Sequence, residues 1–85
     1  MNKLRVYVHS GDGGPVRAKT AEDAAKILAR RTYGKRATVG AFRLDSISCD
    51  GSRGTYEAFI GRDATTAERR HGERGVWGHN IWIYD

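Results

Sequence analysis

Thr20-Ala21-Glu22-Asp23-Ala24-Ala25-Lys26-Ile27-Leu28-Ala29-Arg30-Arg31-Thr32-Tyr33-Gly34 is the one stretch of this 85-residue chain that reads as a good helix, and it decides the fold. Thr20 can cap the free amides of the first turn, with Asp23 at the capping-box position where Glu or Gln is usual. Ala21, Ala24, Ala25, Ile27 and Leu28 make a narrow apolar stripe, mostly alanine, that lets the helix sit close on a sheet. Gly34 supplies a left-handed stop, and Arg30 and Arg31 before it complement the helix dipole. A single helix covers only one face of whatever sheet it joins. The other face must find its own use.

Working outward, residues 3–10 alternate as a strand, with Leu4, Val6 and Val8 on the face expected to be inward and Arg5, Tyr7 and His9 on the other. Three glycines and a proline in Ser10-Gly11-Asp12-Gly13-Gly14-Pro15 end that strand. Residues 37–49 read as a long second strand, Phe42 and Leu44 inward and Arg43 and Asp45 outward. Asp50-Gly51 is a strong hairpin signal leading to a third strand over 55–61. There Tyr56, Ala58 and Ile60 alternate with Glu57 and Phe59, and either set can face the helix. Residues 62–75 are strongly charged and form a loop or a short helix capped by Thr65 or Thr66. Residues 76–84 are the last strand, with Ile81 and Ile83 inward and Asn80, Trp82 and Tyr84 outward.

The expectation is one α+β domain over residues 1–85, a two-layer sandwich with one helix on a roughly four-stranded, mostly antiparallel sheet. The expected order is strand-helix-strand-strand-strand. The last three strands form a meander, and the first lies beside one of its edges. At this length a chain buries roughly 60–65% of its unfolded surface, enough for one core and no deep cavity.

Fifteen Lys and Arg against ten Asp and Glu leave a net charge of +5, which favours an anionic partner: nucleic acid, a nucleoprotein or an acidic protein surface. Cys49 is the only cysteine, so no internal disulfide forms, in keeping with a reducing compartment. The amino-terminal run is broken by Arg5 and His9 and suits neither a signal peptide nor a membrane span. A cytoplasmic protein is expected.

Two surfaces stand out. Tyr7, His9, Arg43, Trp82 and Tyr84 are expected on the sheet face opposite the helix, where flat rings offer stacking surfaces and cations attract phosphate or carboxylate. The alternative is a second small cluster in which the 62–75 excursion covers those rings. Lys26 and Arg30 lie four apart on the helix, and Lys35 and Arg36 extend the charge past Gly34. That stripe suits a phosphate backbone or an acidic partner, or else a solvated face with Glu22 paired to Lys26. RNA-recognition domains use a comparable sheet face, but their second helix and glycine-aromatic signature are missing here.

The glycine loop lacks the spacing and the lysine of phosphate-binding loops. His9, Cys49, His71 and His79 lack the paired spacing of zinc sites. Neither a metal nor another cofactor is expected, nor a small-molecule substrate. Glu57, Arg62, His71 and His79 are the residue types that a metal-independent ribonuclease would need for acid–base work and charge stabilisation. No spacing requires them to converge, so a non-enzyme is expected.

Taken together, the helix Glu22-Asp23-Ala24-Ala25-Lys26-Ile27-Leu28, then Ala37-Thr38-Val39, Asp50-Gly51, Tyr56 to Phe59 and the tryptophan-bearing last strand resemble the small phage-encoded inhibitors of CRISPR systems. The resemblance spans residues 20 to 84. It implies a stoichiometric protein in the host cytosol that docks on a guide-RNA-bearing complex. A basic chain of this kind would meet acidic or RNA-lined surfaces rather than mimic DNA. Direct binding of RNA or single-stranded DNA through the aromatic and basic sheet face is the other expectation.

Overall fold

A computed structural model of the chain describes residues 3–11 and 14–85, apart from the side chains of Trp77 and His79. Asp12 and Gly13 of the glycine loop and the His79 side chain of the ribonuclease set therefore lie outside the described residues. The helix, α1 (Ala21–Tyr33), forms where its caps place it. The Thr20 hydroxyl accepts the Asp23 amide at 3.1 Å, and Gly34, at φ 75°, donates its amide to the Arg30 carbonyl. A single 3-10 turn over Gly34–Arg36 then feeds directly into a strand.

The strands are β1 (Arg5–His9), β2 (Val16–Ala18), β3 (Ala37–Ile47), β4 (Gly54–Asp63) and β5 (Gly75–Tyr84). They form a five-stranded sheet in the order β2-β1-β5-β4-β3, every neighbouring pair antiparallel. The α+β class, the meander of β3, β4 and β5, and the place of β1 beside β5 agree with the sequence reading. The strand count and the element order do not. β2 is a fifth strand between β1 and α1, and three residues are too few to show a period. Pairing holds it in place: Val16 lies across from Tyr7 and Ala18 across from Arg5, with Val16 and Ala18 both buried.

The second correction concerns the orientation of β1. Tyr7 is only 3% exposed and belongs to the core, whereas Leu4, Val6 and Val8 are 63%, 51% and 55% exposed. The alternation is as expected, but its sense is reversed. His9 lies across from Ile83, and Tyr7 from Val16, and both partners face the helix. Ala21, Ala24 and Ala25 give α1 a low surface, so a large ring from the sheet fills the space above it.

On β4 the inward set is Ala58 and Ile60 with Tyr56, whose ring stacks on Phe42 at 5.5 Å between centroids. Glu57 and Phe59 therefore face the other way. Leu44 keeps to the helix side by register with Tyr56 but stays exposed, as does Ile47. The β3–β4 hairpin outruns the helix, in keeping with overall dimensions of 50 × 24 × 23 Å. The pairing of β3 skips a residue at Gly40 and again at Asp45, bulges that twist this edge strand away from easy pairing with another chain.

The charged excursion holds one short helix, α2 (Thr66–Arg70), with a full capping box between Thr65 and Glu68. No helix is long and apolar enough to cross a membrane among the described residues.

Candidate protein-docking face

Register assembles the face opposite α1 row by row. Val8, Tyr84, Thr55 and Ser46 lie side by side across β1, β5, β4 and β3. One row along, Trp82, Glu57 and Arg43 are neighbours, and beyond them come Asn80, Phe59 and Ala41. Past the other end of β5, Val6 lies beside Arg17 of β2, and Leu4 precedes it. Leu4, Val6, Val8 and Tyr84 are all exposed, and Trp82 is half-buried. They make an apolar strip along the β1–β5 side of the sheet, joined by Phe59 toward the middle. α2 does not cover this strip. It is tied instead to the helix side of the sheet, where Arg62 of β4, in the same alternation as Ala58 and Ile60, binds Glu68 of α2 at 2.6 and 3.0 Å.

Arg43, Trp82 and Tyr84 thus stand on the expected face; Tyr7 and His9 do not, because β1 turns both toward the helix side, His9 across from the buried Ile83. The electrostatics also differ from expectation. Arg43 is ion-paired with Glu57 at 2.9 Å, so its charge is largely neutralised where it lies. The face is more apolar and less basic than the sequence suggests. The residues that sequence reasoning misses are Leu4, Val6 and Val8, whose alternation points to the core, and Arg17, whose strand is too short to show a period.

Arg53 stands at the hairpin turn. Together with Val6, Val8, Tyr84, Arg5 and Asp85 it lines a shallow groove of about 480 Å³. Asp85 is taken up by Arg5 at 3.2 Å. The turn is closed by its own hydrogen bonds: Asp50 accepts from the hydroxyls of Ser48 and Ser52 and from the Ser52 amide. Those bonds hold its carboxyl well below the usual carboxylate range.

The cationic stripe lies elsewhere. Lys26 and Arg30 line a groove of about 290 Å³ between α1 and Ala37, Thr38 and Val39 of the edge strand. Arg30 and Lys35 border a second one with Gly34, about 350 Å³. Arg36 is occupied in binding the Ala64 carbonyl, so it serves the fold. The structure therefore keeps the aromatic and basic surfaces apart, on the sheet face and on the helix flank.

Nor does it gather Glu57, Arg62 and His71, the described side chains of the ribonuclease set. Glu57 is held by Arg43, and Arg62 makes a two-pronged bond to Glu68 at 2.6 and 3.0 Å. Five residues apart on β4, Glu57 and Arg62 project to opposite faces. His71 sits exposed after α2. The bond from Arg62 and the capping amide of Thr65 pull Glu68 down to a pKa of about 2. His9 braces the glycine loop: its Nδ1 accepts the Gly11 amide at 3.1 Å, and its Nε2 donates to the Gly14 carbonyl at 2.6 Å. Among the described residues no three His, Cys, Asp or Glu side chains cluster as metal ligands would.

Compared with known protein families, curated proteins and solved structures, the chain gives no significant match.

Proposed function

We propose that this chain is a non-enzymatic binding protein that docks, through the open sheet face, on a protein component of a nucleic-acid-handling complex. The observation that carries the reading is the uncovered strip of Leu4, Val6, Val8, Tyr84 and Trp82. Contiguous apolar surface on a small domain is costly to leave in water, and it marks interaction sites. Aliphatic side chains dominate one half of the strip. Stacking platforms for bases are built from rings, so the strip suits a protein surface better than a single strand. The cations of the helix flank, Lys26, Arg30 and Lys35, then face away from the docked protein, where the phosphates of the same complex can meet them.

The resemblance to phage-encoded CRISPR inhibitors makes a guide-RNA-bearing complex the first to try. The test is capture from bacterial lysate by wild-type protein and by Val8→Asp, each with and without nuclease treatment. The reading expects a protein partner that survives nuclease and is lost with Val8→Asp. Capture abolished by nuclease, and indifferent to Val8→Asp, would replace it with direct nucleic-acid binding along the helix flank.

A further inference from the structure

We infer that the partner presents to this face a polypeptide segment whose apolar residues are bordered by carboxylates. This rests on the docking reading above and adds the partner's chemistry. The arginines around the strip fall into two kinds. Arg43 is neutralised by Glu57 and Arg5 by Asp85. Arg17 and Arg53 have no hydrogen-bond or ion-pair partner for their guanidinium groups among the described residues. They stand on either flank of the same apolar surface. Arg17 lies directly across from Val6 on β2, and Arg53 lines the groove beside Val8 and Tyr84 from the hairpin side.

Among the described residues, the side-chain carboxylates of Glu57 and Asp85 beside the strip are each already engaged, so they neither satisfy those guanidiniums nor repel an incoming acid. The face thus offers an apolar centre with an unsatisfied positive charge at each border. A complementary surface carries apolar side chains in the middle and Asp or Glu at its edges, because like charges across an interface are strongly disfavoured and planar guanidiniums grip carboxylates by two bonds. The overall charge of +5 pushes the same way and makes a second copy of this chain a poor occupant.

A random peptide display library selected on the immobilised protein tests this, with Arg17→Glu/Arg53→Glu and Val8→Asp proteins selected in parallel. Wild type should enrich peptides in which Asp or Glu flank an apolar stripe. The double variant should lose those peptides by tenfold or more and enrich ones with Lys or Arg in their place. Val8→Asp should lose both. Peptides that bind wild type and the double variant equally but fail on Val8→Asp would overturn the acidic border while leaving the docking face standing. No enrichment that depends on Val8 would overturn both. Sedimentation showing a wild-type dimer that Val8→Asp dissociates would assign the face to a second copy and likewise overturn the inference.

Discussion

Replacing Tyr7 by alanine should cost far more than replacing either residue beside it on β1. The ring is 3% exposed in a core that also holds Val16, Ala18, Ala24 and Ile83. Truncating a buried aromatic removes its transfer free energy and leaves a cavity, together about 3–5 kcal/mol. A chain of this length has a total stability of roughly 4–13 kcal/mol at about 0.05–0.15 kcal/mol per residue. At about 4–8 °C per kcal/mol, the melting temperature of Tyr7→Ala falls by at least about 12 °C. Val8→Ala, by contrast, touches a side chain that is mostly in water, and it should stay within about 0.5 kcal/mol of wild type. Urea unfolding followed by circular dichroism measures both. Equal losses in the two variants, or a Tyr7→Ala loss below about 1 kcal/mol, would show that β1 faces the other way and that the strip on the outer face does not exist.

Burial, and secondarily the charge of Asp85, raise the Tyr7 phenol above its usual 10.0. The folded state therefore favours the neutral phenol, its contribution whole below about pH 10 and lost as pH rises through the raised value. Tyr7→Phe should accordingly be less sensitive to alkali than wild type in unfolding titrations from pH 8 to 12. Glu68, held near a pKa of about 2, gives the opposite sign: its grip on Arg62 and Thr65 is whole above its usual 4.5 and fails as pH falls toward about 2, which amide chemical shifts of α2 should report. Gly75→Ala should destabilise the start of β5 by about 1–3 kcal/mol, because φ is 135° there and an added Cβ would press on the Arg62 carbonyl; thermal melting checks it. Purified protein should leave mixed RNA intact in the presence of a chelator, since Glu57 and Arg62 are engaged on opposite faces. Cleavage lost on replacing Glu57 and His71 would revive the ribonuclease.

The helix is legible in the sequence because its signals agree: Thr20 before the run, an alanine stripe within it and Gly34 after it all mark the boundaries that the structure shows. The meander is legible for a similar reason, with Asp50-Gly51 fixing the hairpin and Ile81 and Ile83 fixing the sense of β5. β1 is harder. Both of its faces carry side chains that can be buried, and its neighbours make the choice rather than its own residues. Valine and leucine are the usual core residues, yet the alanine surface of α1 has room for a tyrosine, and β2, too short to announce itself, completes the pocket around it. That reversal moves Tyr7 out of the candidate site and Val6 and Val8 into it. The neutralisation of Arg43 by Glu57 is equally hidden, since cross-strand pairing depends on register, which the two bulges of β3 shift.

Solvent-accessibility footprinting of the protein, alone and in its captured complex, puts the central claim to the most direct test. Val6, Val8, Trp82 and Tyr84 should become protected on binding, while Glu22 and Lys26 on the exposed side of α1 keep the labelling they show in the free protein. Protection confined to α1 and the flank of Lys26 and Arg30, with the sheet face still fully labelled, would contradict the account.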